Sequence, residues 1–375
     1  MIKPITALLL ILVLPLIPGN LAMAENNSEE GRMTLSLEDS IERAIENSFQ
    51  IRRAVTGSEK AYIVRQRAVE DWDDMDPIIP TLDYLLALNV LQKDLQWRMS
   101  RREIDLLEDR LAYDAMRLYY DIFKETAAVV NAQQELERTE KQAQRALVMF
   151  RLGAVSRLDY QRARSALDST EAELISREQD LQSAYERLNR LVGLSLQERP
   201  VLVDLPEWEP LRDMGVNVYV ARSMDHNTAL WLAEQQIELA RYDVKMHRHF
   251  DLEGEDTDPL RGPEPLEAKE KNISMAEDDY RDTIRQLEQN TRDIYRSIRS
   301  MEQEKEKLMN RLVEMERELQ AQQTRFAAGL VTAYDFFELE AALAQLKIQE
   351  KNLLLEHELL KYVIRKPWVL SGSAR

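Results

Sequence analysis

Two carboxylates, Asp335 and Glu338, stand three residues apart just after Gly329-Leu330-Val331-Thr332, and Ser156 and Asp159 stand at the same spacing after Gly153-Ala154-Val155. Residues three apart share one helix face, and acids in a first turn offset the exposed amides and the dipole of a helix N-terminus. Arg162 follows Asp159 where Glu338 follows Asp335, which suits a helical ion pair. His247-Arg248-His249 with Asp251 invites a metal, but residues two apart do not share a helix face, and the chain has no cysteine. These histidines therefore read as a solvated helix end. The run Glu302, Glu304, Lys305, Glu306, Lys307 reads as an exposed face of paired charges. No nucleophile stands beside a base and no glycine loop could cradle a phosphate, so the residues give neither an enzyme nor a cofactor or metal site.

The residues flanking those acids say nearly the same thing twice. Met149-Phe150-Arg151-Leu152-Gly153-Ala154-Val155-Ser156-Arg157-Leu158-Asp159-Tyr160 returns as Arg325-Phe326-Ala327-Ala328-Gly329-Leu330-Val331-Thr332-Ala333-Tyr334-Asp335-Phe336. With Phe150 set on Phe326, the glycine, valine, hydroxyl, acid and aromatic fall in register. The repeating unit is a helical hairpin reversed at a glycine.

Long helices carry these reversals. Ser36 N-caps a helix over about 37–74, and Pro77 and Pro80 break it. From about 80 to 152 nothing stops a helix, and Ile104, Leu107, Leu111, Ala115, Leu118, Ile122, Thr126 and Val129 keep an apolar seam. After Gly153 a strict heptad follows, from Leu167 and Thr170 through Leu174, Arg177, Leu181 and Ala184 to Leu188 and Leu191. Pro200, Pro206 and Pro210 mark a linker over 194–216. The second copy reads as a helix over about 217–249, an acidic break, a helix over about 266–327 and a last helix ending near Pro367. In the longer of these, Ile284, Leu287, Thr291, Ile294, Ile298, Met301, Lys305, Leu308, Leu312, Met315 and Leu319 take the inward positions. The short helices of the first copy together match the length of its long one, so two could stack end to end along one rod. Such a layer buries its seams only against further helices, from copies of itself or from another helical protein.

The chain of 375 residues has a net charge of −17, which repels a phosphate backbone and argues against nucleic acid as a partner. Lys3, the apolar run Ile5 to Ile17 and Ala22-Met23-Ala24 form a signal peptide over 1–24, so export is expected. An uncleaved anchor is the alternative, although the run is short for a bilayer span. No later segment is apolar enough for a membrane helix.

These residues resemble the TolC-type outer-membrane efflux proteins. The resemblance rests on the opening Leu35-Ser36-Leu37 through Ala44 and Asn47, on the twice-seen hairpin tip, and on the closing Leu188-Asn189 through Leu191 and Gly193. It implies an all-α protomer of two tandem antiparallel coiled-coil hairpins: a first repeat over 25–193, the linker, a second repeat over 217–367 and a tail over 368–375. It also implies a homotrimeric tunnel in the cell envelope, docked through its tips to a periplasmic adaptor and an inner-membrane pump. Gly153, Val155, Ser156, Gly329, Val331 and Thr332 match the adaptor-docking turns, and Asp335 and Glu338 fall where some members carry an acidic constriction.

The departure lies at the insertion points of the β-barrel. Each would take two membrane strands of about 9–11 residues. Here 75–81 is too short, and Asp251 to Pro259 is acidic and without alternation. Two readings stay open: the α-barrel of an export machine, periplasmic or extracytoplasmic, and a helical scaffold of the envelope without a conduit. Five scattered tryptophans, Trp72, Trp97, Trp208, Trp231 and Trp368, suit helix seams better than a girdle at a membrane surface.

Overall fold

The computed structural model describes residues 33–74, 80–225, 227–249 and 265–370. The chain opens with a short strand β1 (Thr34–Leu35), then α1 (Leu37–Asn47) and α2 (Phe49–Asp73). α3 (Pro80–Arg151) and α4 (Arg157–Val192) make the first long hairpin. After β2 (Val201–Leu202) come α5 (Val216–Asp225), α6 (Thr228–His249), α7 (Leu266–Ala327), α8 (Ala333–Arg365) and a 3-10 turn, Pro367–Val369. The 72 residues of α3 make a rod of about 108 Å.

Two expected helices prove to be pairs. Ser48 leaves helical geometry (φ −70°, ψ 117°) and its hydroxyl accepts from the Ile51 amide, so it ends α1 and caps α2. α5 ends at Asp225 and Asn227 caps α6, its Oδ1 accepting from the Leu230 amide at 3.0 Å. In each case a small polar side chain offers the backbone a local partner that competes with helix continuation. The signal-peptide residues and Asp251 to Pro259 lie outside the described residues, as do 75–79 of the first insertion point and 371–375 of the tail.

The end-to-end stacking is as expected. Along α3, the Thr139 and Thr170 hydroxyls meet at 2.8 Å on the α4 side, and farther along Arg65 of α2 binds Asp94 at 2.6 Å. Along α7, Lys269 binds Asp243 of α6 at 2.9 Å, and Lys305 pairs with Glu350 of α8. α8 then joins the halves by running antiparallel beside α3, through Arg138–Glu338 (3.4 Å), Lys124–Glu356 (3.1 Å) and the Tyr362 hydroxyl on the Asp109 carbonyl (3.2 Å). Across one end the order is α4, α3, α8, α7; across the other it is α2, α3, α6, α7.

All the heptad positions named on α4 and α7 point inward. On α4 they are half-buried from Leu167 to Leu181, and Ala184 and Leu188 are buried. α3 carries more than one seam: it lies between two helix stacks, so Tyr119 and Tyr120 are buried along with Leu111, Ala115 and Ile122. Burial pushes the Tyr120 phenol up to about 12, with Glu358 adding to the shift.

A waist is built where α1 meets the end of α4. The Asn47 amide donates to the Arg190 and Leu191 carbonyls at 3.2 and 3.1 Å, and a Cβ at Gly193 would stand 3.0 Å from that same side chain. Asn189 donates to the Ser195 and Glu198 carbonyls, holding the linker as it leaves the helix. β1 and β2 pair in parallel, Thr34 with Val201 and Leu35 with Leu202. These are the only strands among the described residues, and each has two residues. The opening and closing sequence motifs are therefore the two halves of one clasp.

The charge run on α7 is not wholly exposed. Glu302 and Lys305 have side chains only 15% and 14% exposed and face α8, whereas Glu304, Glu306 and Lys307 lie outward. His247 is likewise buried rather than solvated, and Arg248 pairs with Glu270. Trp97 lies 5.5 Å from the Tyr62 ring, Trp231 lies under Arg102, and Trp368, expected in the tail, donates to Asp109 at 2.7 Å; Trp72 is 42% exposed.

Candidate functional site at the hairpin reversals

The two reversals share one backbone construction. After α3 the Gly153 amide donates to the Phe150 carbonyl (3.0 Å) and the Ala154 amide to the Met149 carbonyl (2.8 Å). After α7 the Gly329 amide donates to Phe326 and the Leu330 amide to Arg325, both at 2.9 Å. This is a Schellman cap made twice, with φ of +72° at Gly153 and +71° at Gly329. No atom lies within 4 Å of a Cβ at either position, so glycine is needed there for its backbone and not for space.

Each turn is closed by an aromatic stack across the hairpin. Phe150 and Tyr160 lie 5.5 Å apart at 9°, and Phe326 and Phe336 lie 5.5 Å apart at 12°. The sequence holds the signal, since both pairs are ten residues apart, but the spacing alone does not say that the rings meet. Val155 and Val331 are half-buried beneath the turns, while Ser156 and Thr332 are exposed. One leucine stands out at each tip: Leu152 is 74% exposed and Leu330 is 77%.

Ser156 caps α4 in a reciprocal box: the Asp159 amide donates to its hydroxyl, and its own amide and hydroxyl donate to the Asp159 carboxylate. The Ser156 hydroxyl, then its amide, hold the Asp159 carboxyl below its ordinary range, with Arg162 3.8 Å away contributing less. In the second copy the Phe336 amide donates to the Thr332 carbonyl, while the side chain of Asp335 lies outside the described residues. Glu338 is beside Arg138 of the first hairpin, and Lys141 lies 4.6 Å over the Phe337 ring. These cross-repeat contacts, which sequence reading missed, place both reversals at the same end of the molecule. Sequence-local patterns cannot reveal them, because some two hundred residues separate the partners.

Replacing Gly153 and Gly329 together with valine is expected to cost about 1–2 kcal/mol at each site, because a β-branched residue resists positive φ. The urea midpoint reads this, and an unchanged midpoint would remove the cap assignment.

No family model matches the chain, and no curated protein matches it. Solved structures do. The outer-membrane channel OprN superposes with a TM-score of 0.64 at 14% identity, over 90% of each chain. The outer membrane protein VceC of Vibrio cholerae gives 0.63 at 14%, over 90% of this chain and 96% of its own. The open-state MtrE outer membrane channel of Neisseria gonorrhoeae gives 0.58 at 13%, over 89% and 88%. The fold is TolC-like.

Within the TolC-like fold the described residues are nearly all helix. Residues 74–79 separate α2 from α3 and residues 250–265 separate α6 from α7, leaving little room at either place for two strands of about 9–11 residues. Among the described residues no helix is long and apolar enough to cross a membrane, and none of the His, Asp and Glu side chains group as a metal site would require.

Proposed function

We propose that the chain is the tunnel component of a TolC-like efflux or secretion system, exported to the cell envelope and docking a periplasmic adaptor through its two hairpin tips. One observation carries this reading: two identically capped reversals lie at one end of an open layer whose outer helices, α4 and α7, are edges. An open layer with inward heptads hides its edges by closing into a ring with its own copies. Three copies make the ring, an inner-membrane pump supplies the cargo, and the protein itself does no covalent chemistry.

In this reading Gly153, Val155, Ser156, Gly329, Val331 and Thr332 form the docking turns. The exposed leucines beside the glycines give an adaptor an apolar foothold. Asp335 and Glu338 form the acidic constriction, with Arg138 offsetting part of the Glu338 charge. The alternative, a helical scaffold without a conduit, is favoured by the short connection between α2 and α3, which has fewer residues than the two membrane strands a barrel would take there.

Mass photometry and negative-stain imaging of residues 25–375 distinguish the two. A three-copy species with a hollow centre is expected. A monomer or a solid bundle sinks the tunnel and leaves the scaffold.

A further inference from the structure

His357 is fully buried on α8, and nothing in the reading above uses it. Its ring lies 4.2 Å from that of Trp208, at 25°, so the linker is stacked directly on it. Its Nε2 lies 3.5 Å from Glu302 Oε1, and neither ring nitrogen has a hydrogen-bond partner among the described residues. Around this stack the linker is tied to both helices of the second hairpin. The Leu211 amide donates to Glu302 at 2.7 Å, Arg299 donates to the Leu211 carbonyl and pairs with Asp213, and Lys361 donates to the Glu209 carbonyl at 2.9 Å.

We propose that residues 203–213 are a strap across the α7–α8 pair, and that a proton on His357 releases it. A neutral imidazole suits a dry stack beneath an indole; an imidazolium there must be compensated by a neighbouring charge. The neighbours are already committed. From α7, Glu302 is held by Arg299 and the Leu211 amide, and Lys305, 5.4 Å from the Trp208 ring, pairs with Glu350. From α8, Glu358 pairs with Lys361 at 2.6 Å; from the linker, Glu209 and Asp213 face Lys361 and Arg299; from α3, Lys124 takes Glu356. The added charge therefore finds no acid without a cation, and lifting Trp208 away lets water solvate it.

Burial holds the His357 imidazole below its ordinary range, Glu302 opposing and Lys361 assisting the shift. Burial works to raise the Glu302 carboxyl, but Arg299 and the Leu211 amide overcome it and leave it below its usual range, so it stays charged as His357 titrates. A base with a depressed value in the closed state binds its proton more readily when the strap is open. The closed strap is therefore fully stable above about pH 6.5 and loses stability as the pH falls from there toward the depressed value.

Hydrogen exchange of residues 25–375 between pH 7.5 and 5, divided by the intrinsic rate at each pH, tests this. The opening constant of peptides covering 203–213 is expected to rise by up to about tenfold per pH unit below about 6.5, while peptides from the middle of α3 stay flat. His357→Phe, which keeps a ring under Trp208 without a proton, is expected to abolish the rise. A flat wild-type profile, or a rise retained in His357→Phe, overturns the proposal. The chain has four histidines, so the wild-type imidazoles are also separable by NMR. A His357 titrating at the ordinary value, without movement of the Trp208 indole signal, overturns it even if the variant does not fold.

Discussion

Gly193→Val is expected to lower folding stability by about 3 kcal/mol, roughly twice the effect of valine at either tip glycine. Both kinds of site require positive φ, and Gly193 sits at +75°. The difference is what a side chain meets. At Gly153 and Gly329 it meets open space, whereas at Gly193 it meets the Asn47 amide that caps the last carbonyls of α4. Valine there adds backbone strain and also frees those carbonyls by displacing the donor. Urea unfolding followed by circular dichroism measures this. In an Asn47→Ala background the same substitution should cost about 1–2 kcal/mol, because only strain remains. Equal costs in the two backgrounds would show that the clasp contributes nothing.

Tyr119→Phe is expected to cost about 3 kcal/mol although it removes a single oxygen. The Tyr119 hydroxyl donates to the Leu35 carbonyl at 3.1 Å and accepts from the Asp204 amide at 3.0 Å, in a side chain with no exposure. Asp204 in turn takes the Leu37 amide at the start of α1 with its carboxylate, at 2.7 Å. One phenol thus holds β1, the linker and α3 together, and its loss removes both bonds and leaves the Asp204 amide without its partner. Hydrogen exchange should show the loss concentrated in residues 33–37 and 201–204. A midpoint within about 0.5 kcal/mol of wild type would mean that water substitutes for the hydroxyl.

The parts of this fold that were legible in the sequence are those where a single local constraint fixes the residue. A helix reversing through positive φ demands glycine, so Gly153 and Gly329 mark the tips. A helix packed on one side shows one stripe, so the heptads of α4 and α7 give their inward faces directly. α3 is packed on more than one side, and its buried Tyr119 and Tyr120 fall outside the stripe read for it. Ser48 and Asn227 lie within apolar periodicity that continues past them, and only the backbone geometry reveals their breaks. Glu302 is hidden in a run of charges, and its buried role depends on Leu211 and His357, brought to it by the linker and by α8. The strands are too short to make a pattern, and their pairing joins residues far apart in the chain.

The inward positions of α4 grade from half-buried near Gly153 to buried at Leu188 and Val192. Grip therefore rises with distance from the reversal. In a lone chain, thermal opening is expected to start at the free fingers and die out at the knuckle, where Asn47 holds the end of α4 while Tyr119 and Asp204 hold the start of α1. The far end can flex many times without disturbing the place where the two halves are held.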